Sequence, residues 1–445
     1  MNDNPSLNLG GLLLVFSLLV GCGGSKMDYE PQSIGVAPAL DTNPDPNIFE
    51  TTLTAAPYSM TLANGQTVRV FAYNGQVPGP EIRVKRGDRV IVRFKNQLPD
   101  GFASTIHWHG VELNNQSDGT EHTQDPVDPG ETYVYDFIAP RAGTFWYHPH
   151  VRGIEAVAAG LYAPLIVTQP EEAQLVQQSR LPGKEMTLVL SDLAVEQGML
   201  KDLSQADMLE TMNGTEGNIL LVNGRELPTL SVAEGDGIRL RLINAAIARY
   251  YRLALSGHDI FRVGGQGGLL ASVALEGGQL QGMRMPMDES YTGNTGTIEI
   301  DQGYERGEIL LAPGERADVV IVPKARAGES VMLQWVDFAR GRHQMAEDGA
   351  GHGGGHGVTE PMGMVLAEDD GLRPSVDLLR IQVETGSGNR APFTITEGTV
   401  LTERPATLVP ERTDTPIELQ EDMEAMMADA PRSTWFKIDG FAGIA

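Results

Sequence analysis

The chain has 445 residues, with 33 Lys and Arg against 59 Asp and Glu, for a formal net charge of −26. That length suggests two or three domains; 41% hydrophobic content excludes wholesale disorder, and the acidic balance argues against a nucleic-acid partner and for attraction of cations. With 52 Gly and 27 Pro the composition favours turn-rich β structure, and a single cysteine, Cys22, excludes intrachain disulfides, zinc–cysteine sites and iron–sulfur clusters.

In chain order, an apolar run from Leu12 to Val20 comes first. It is shorter than the roughly 20 residues of a spanning helix and reads as the core of an export signal. The run ends in Leu19-Val20-Gly21-Cys22, which resembles a bacterial lipobox. The resemblance implies a signal peptide over 1–22, cleavage before Cys22 and lipidation of its thiol. Gly23 after the cysteine implies, by likeness to known lipoproteins, a periplasmic-side protein anchored in the outer membrane. The alternative is an ordinary secretory signal with an incidental cysteine. Residues 23–50, rich in Gly, Ser, Asn, Asp and Pro, read as a flexible tether.

A first β-domain is predicted over 51–170 and a second over 171–340. Glu81–Asn96 (EIRVKRGDRVIVRFKN) and Thr229–Asn244 (TLSVAEGDGIRLRLIN) share period-two apolar alternation around a Gly-Asp turn, each preceded by Asn-Gly and a proline. This is a strand–turn–strand signature repeated about 148 residues apart, the mark of a duplicated domain rather than a solenoid. The first domain also holds two His-x-His pairs, His107-Trp-His109-Gly and His148-Pro-His150. With nine histidines in 445 residues, chance supplies about 0.2 such pairs. On a strand, residues i and i+2 share a face, so each pair presents two imidazoles and neighbouring strands bring four together. Neutral imidazole suits copper, zinc, nickel or iron. Asp118, just before Gly119, is placed to orient a ligand or bound water, or serves simply as a turn residue.

Methionines gather in the second half. Met283, Met285 and Met287 alternate, and Met345, Met362 and Met364 surround His343, His352 and His356. Thioethers select Cu(I), so these are candidate Cu(I) sites; gap-filling packing is the alternative. Residues 341–430, containing GAGHGGGHG, a predicted strand pair and an acidic segment, read as a connector. Residues 431–445, with Trp435-Phe-Lys-Ile-Asp-Gly440, look like the opening of a third copy, cut short.

Asn74-Gly75 with Pro78-Gly79-Pro80, the HWHG at 107–110, Asp118-Gly119, GTFWYHPH at 143–150, GLYAPLIV at 160–167 and ILLAPGERADVVIVP at 309–323 together resemble the multicopper oxidase family, which includes laccases, bilirubin oxidases and copper-resistance oxidases. The resemblance implies an all-β fold of tandem cupredoxin domains (Greek-key sandwiches or barrels), two complete and the start of a third, with copper as cofactor. It implies oxidation of a phenolic substrate or Cu(I), with O2 as acceptor. By carry-over, His107 binds a type-2 copper, His109 and His148 one type-3 copper, His150 the other, and Asp118 assists proton delivery. The family's remaining ligands include a His-Cys-His motif, yet the only cysteine here is Cys22 and no histidine follows His356. The alternative function is therefore a non-catalytic copper-sequestering lipoprotein of the same fold.

Overall fold

This computed structural model describes residues 34–206, 210, 214–277, 306–338, 373–386 and 391–403, and the backbone of short strands elsewhere. Eight strands build the first sandwich: β1 (Ile48–Thr61), β2 (Thr67–Tyr73), β3 (Ile82–Lys85), β4 (Arg89–Asn96), β5 (His107–His109), β6 (Thr132–Ile138), β7 (Gly143–His148) and β8 (Ala163–Thr168). They form two four-stranded sheets, ordered β2-β1-β4-β6 and β3-β8-β7-β5. Alternation drives the layering. In β4, Val90, Val92, Phe94 and Asn96 are buried while Arg89, Arg93 and Lys95 face water. The inward residues pack with Leu53, Tyr73, Trp108, Tyr135, Phe145, Tyr147 and Leu165 as one core.

Helix α1 (Gly153–Ala158) precedes β8, and α2 (Pro170–Gln177) links to β9 (Lys184–Leu193). After a small hairpin of β10 (Val195–Glu196) and β11 (Met199–Leu200) come β12 (Ile219–Val222), β13 (Thr229–Ala233), β14 (Ile238–Asn244), β15 (Tyr251–Ala254), β16 (Ile260–Gly265) and β17 (Gly268–Leu275). A hairpin of β18 (Met283–Pro286) and β19 (Thr297–Ile300) follows, then β20 (Glu308–Leu311), β21 (Arg316–Ile321) and β22 (Ser330–Val336). A further hairpin, β23 (His343–Met345) with β24 (Met364–Leu366), precedes β25 (Val376–Glu384). The second sandwich has sheets ordered β12-β9-β14-β21-β16-β17 and β13-β25-β22-β15-β20.

The two sandwiches match strand for strand. β1, β2, β4 and β6 correspond to β9, β12, β14 and β21, and β3, β5, β7 and β8 to β13, β15, β22 and β25, with the same parallel and antiparallel senses at every shared pairing. The repeated strand–turn–strand is an arch rather than a hairpin: β3 pairs with β8, while β4 joins the opposite sheet between β1 and β6. The repeated asparagines do identical work. Asn96 Nδ2 donates to the carbonyls of Phe102 and Val127 and its Oδ1 accepts from Leu98 N–H; Asn244 does the same for Arg249, Leu311 and Ala246. Each satisfies two backbone groups of the loop that leaves its strand and a third, a carbonyl far along the chain, inside the core where water cannot.

Two boundaries differ from the sequence expectation. The second sandwich does not close at 340. Its last strand is β25, paired parallel to β13 through Thr229↔Arg380, and Leu378, Leu379, Ile381 and Val383 lie in its core. The connector expected from 341 hides this strand, because the β23–β24 insertion separates it from the rest of its domain. Nor is 34–50 a tether. Ile34 is buried in the second core, Asn223 Nδ2 donates to its carbonyl, and Ala39 N–H donates to Glu81 O. Ile34 and Val36 supply apolar contacts that outweigh the polar composition around them. Compact packing runs to Leu401; a second unit, 402–445, contains the sheet β26 (Leu419–Glu421), β27 (Phe436–Ile438) and β28 (Phe441–Ala442).

A buried ionic cluster joins the sandwiches. Asp318 of β21, fully buried, accepts from Thr144 Oγ1 of β7 at 2.5 Å, from Arg239 Nη2 at 2.5 Å and from Arg241 Nη1 at 3.0 Å. Glu172 of α2 closes the other side of both guanidinium groups. Removing one partner of such a cluster strands charge in a low-dielectric interior. Asp318→Ala is expected to lower unfolding free energy by about 3–5 kcal/mol, measured by urea denaturation.

Candidate metal centre

β5 and β7 run antiparallel in the register His107↔His148, Trp108↔Tyr147 and His109↔Trp146. Residues directly opposite share a face, as do residues two apart on one strand. His107, His109, His148 and Trp146 therefore face one way, and Trp108 and Tyr147 face the core, where both are fully buried. The strand ends at His148. Pro149 cannot continue the ladder, and His150 sits in the following turn, its N–H directed at Thr105 Oγ1 at 3.3 Å. The second pair is thus brought in by a strand end rather than along one strand face. The His107 ring lies 5.8 Å from that of His109, 5.4 Å from His148 and 5.6 Å from His150.

Ring orientation follows from the outer hydrogen bonds. Carbonyl and carboxylate oxygens only accept, so the imidazole nitrogen facing them carries the proton. His107 Nδ1–H donates to Asp118 O at 2.8 Å, His148 Nδ1–H to Pro149 O at 2.9 Å, and His150 Nδ1–H to Glu121 Oε2 at 2.8 Å. In all three, Nε2 keeps the lone pair. His109 stacks on Trp146 with centroids 5.0 Å apart, and its Nδ1 faces His148 Nε2 at 3.2 Å. Two nitrogens about 2.0 Å from one ion at a tetrahedral angle stand roughly 3.3 Å apart, so this pair is spaced to share a metal. Ligand atoms of His107, His109 and His148 all lie within 4.8 Å of one another.

Asp118 acts mainly through its backbone: the carbonyl holds His107, while carboxylate Oδ1 stands 3.6 Å from the same nitrogen. Gly119 makes this possible. Its φ is +79°, and a Cβ there would lie 1.8 Å from Ile106 O. The second sandwich reaches the site through the APGERAD segment. A Cβ on Gly314 would lie 3.2 Å from His109 Cε1, and Arg316 donates to Thr144 O at 3.1 Å beside Gly110. Burial, with Arg141 nearby, pushes the Arg316 guanidinium down to about 10, so it remains a cation at neutral pH.

Sequence reasoning missed Glu121 and Arg316, since neither belongs to a ligand motif. The spacing of Glu121, three residues past Asp118 on the same loop, is the one signal that could have found it. His258 is structural: Nδ1–H donates to Ser256 O and Nε2 accepts from Lys324 N–H. Among the methionine sites, Met283 and Met285 lie on β18, and β23 pairs with β24 in the register His343↔Leu366 and Met345↔Met364. Cys22, Met287, His352, His356 and Met362 lie outside the described residues.

Residues 55–172 match the family described as multicopper oxidase. That segment, which carries both His-x-His pairs, is a multicopper oxidase domain. The chain is 33% identical over 241 residues to the multicopper oxidase MmcO of Mycobacterium tuberculosis, covering 47% of this chain and 45% of that one. It is 29% identical over 286 residues to the multicopper oxidase mco of Staphylococcus aureus, covering 63% and 55%. The chain thus spans about half the length of these curated relatives. A metallo-oxidase of Campylobacter jejuni superposes with a TM-score of 0.62 at 24% identity, over 91% of this chain and 72% of that one. A multi-copper oxidase of Pseudomonas thermotolerans gives 0.56 at 26%, over 79% and 66%. The two sandwiches are accordingly tandem cupredoxin domains, and the family's members are copper proteins.

A donor set of neutral imidazoles fits copper. Burial lowers the His107 pKa, against the opposing pull of the Asp118 carbonyl and carboxylate. Burial, then Arg316 and His107, lower His109 to about 3. Burial also lowers His148 to about 3, overcoming its bond to the Pro149 carbonyl, with the three neighbouring imidazoles adding to the shift. A buried histidine is ordinarily protonated near 6.5 once unfolded. Between pH 6.5 and about 3 the unfolded metal-free chain therefore binds protons that these two folded histidines refuse, so stability falls as pH drops through that window and is unaffected by them above it. Ring NMR of the metal-free protein should show His109 and His148 still neutral at pH 5.

Proposed function

We propose that this chain is an exported copper-binding protein that holds copper on His107, His109, His148 and His150, and that it serves the oxidation of a phenolic compound or of Cu(I) with O2 as acceptor. The observation that carries this reading is the convergence of four imidazoles, three with Nδ1 tied back and Nε2 left as the donor atom. Bound copper supplies one-electron redox chemistry. The chain's own residues supply the rest. β5 and β7 fix His107, His109 and His148, burial keeps these three unprotonated, and the partly exposed Asp118 carboxylate stands between solvent and the His107 ring.

A second reading, copper sequestration without turnover, is favoured by one observation: the single cysteine is Cys22, so this chain offers no thiolate from its cupredoxin domains to a blue copper site. Copper loading followed by O2-uptake measurement with a phenol or Cu(I) separates the two. Uptake supports oxidation; stoichiometric copper without uptake supports sequestration. In either case Cu(II) should give no intense band near about 600 nm, which requires a thiolate ligand. His107→Ala combined with His148→Ala should cut bound copper, measured by metal analysis after dialysis; unchanged stoichiometry would sink the site.

Export and anchoring belong to the same proposal. The apolar run ending in Leu19-Val20-Gly21-Cys22 supports lipidation, and Gly23 supports the outer membrane. One acylated protein with two or more chains is stably held in a bilayer. Cys22→Ser should therefore move the protein from the detergent phase to the aqueous phase on partitioning, with loss of labelled fatty-acid incorporation.

A further inference from the structure

We propose that Glu121 is the positioning residue of His150, fixing it as the Nδ1–H tautomer so that Nε2 is its metal-binding atom. The inference rests on the copper reading above and goes beyond it, because the carboxylate that family resemblance points to is Asp118 and not Glu121. The geometry separates the two. Asp118 Oδ1 is 3.6 Å from His107 Nδ1, and the closer partner of that nitrogen is the Asp118 carbonyl at 2.8 Å. Glu121 Oε2 is 2.8 Å from His150 Nδ1, a full charge-assisted hydrogen bond.

His150 needs this bond more than its neighbours need theirs. His107, His109 and His148 ride on paired strands, and two of them are anchored by backbone carbonyls. His109 is also braced by the Trp146 ring. His150 lies beyond the strand end and is the most exposed of the four, with 44% of its side chain accessible. Thr105 Oγ1 holds its backbone N–H, but nothing else among the described groups bonded to it directs the ring. The loop carrying Glu121 is itself ordered. Gly119 turns it against Ile106, and the N–H groups of Thr123 and Gln124 both donate to Thr120 O. The carboxylate is therefore presented from a closed turn. A carboxylate on the outer nitrogen of an imidazole orients the ring and strengthens the inner nitrogen as a donor, and losing it typically weakens metal binding 10–100-fold.

The test uses the full chain and Cu(II) with a competing chelator. Glu121→Ala should weaken the His150-dependent part of Cu(II) binding by about 10–100-fold, and Glu121→Gln, which keeps an acceptor without the charge, should recover part of it. In a His150→Ala background, Glu121→Ala should produce no further weakening. A general structural role predicts the same loss in both backgrounds, and that result overturns the proposal, as does binding unchanged within about twofold. A second readout needs no copper. Nitrogen-15 NMR of the metal-free chain should show His150 as the Nδ1–H form and a shift toward Nε2–H in Glu121→Ala. An unchanged tautomer overturns the assignment. If the parent chain binds no copper through its histidines, the function proposed above fails, while the tautomer measurement still decides what Glu121 does to His150.

Discussion

The antiparallel pairing of β5 with β7 is the constraint on which the site depends. Its register sets His107 across from His148 and His109 across from Trp146. A slip of one residue would turn the histidines into the core and Trp108 and Tyr147 out to solvent. The aromatic residues are what forbid that slip. Trp108 packs on Tyr135, Phe137 and Tyr147, with ring centroids 5.7, 4.9 and 5.5 Å away. The hydrophobic payload between the histidines thus holds the polar residues in place. Core and site are the two faces of one strand pair.

The duplicated architecture shows how the second cupredoxin domain came to a different task. The strands equivalent to β5 and β7 are β15 and β22, whose sequences YRLA and SVMLQWV carry no histidine. What the second domain contributes instead is support. Gly314 lets its loop approach the His109 ring, Arg316 reaches the backbone beside Gly110, and Asp318 ties Thr144 to two buried arginines. Three residues within one short segment, Gly314 in the turn before β21 and Arg316 and Asp318 on the strand, thereby connect the second core to the histidine strand of the first. That arrangement gives APGERAD a physical meaning that its family likeness alone does not.

Much of this was legible in the sequence, and the reasons are local. Period-two alternation in Glu81–Asn96 and Thr229–Asn244 announces strands because each strand has one wet and one dry face. His-x-His announces a shared face for the same reason. What the pattern cannot announce is partnership. The Gly-Asp turn between β3 and β4 looks like a hairpin, but the two strands pair with β8 and with β1 and β6, choices made by tertiary packing. The assignment of β25 failed similarly. VDLLRIQVE has strand character, but its pairing with β13 spans about 150 residues of sequence and an insertion that composition marks as a connector. Ile34 is the smaller lesson: one apolar side chain that fills a core position can order a segment that Gly, Asp and Pro otherwise mark as loose. Glu121 was harder to read: its residue type is that of any surface carboxylate, and only its spacing, three residues past Asp118, sets it apart.

The electrostatics of the site pull in two directions, and the balance between them says how a cation is received. Close in, burial keeps His109 and His148 neutral, with Arg316 adding to the effect at His109, which preserves lone pairs but creates no attraction for a metal ion. Farther out, the chain's net charge of −26 favours approach of cations, and the carboxylates of Asp118, Glu121 and Glu112 lie on the loops and strands nearest the histidines. Arg141 offsets Glu112 at 2.9 Å, which leaves Asp118 and Glu121 as the acids that touch or nearly touch imidazoles. Both sit on the loop between β5 and β6, so one segment provides the long-range attraction and the short-range orientation of two different donors. The neutral interior then selects by ligand chemistry rather than by charge: hard cations drawn by the acidic surface find nitrogen donors that suit them poorly, and copper finds donors that suit it well.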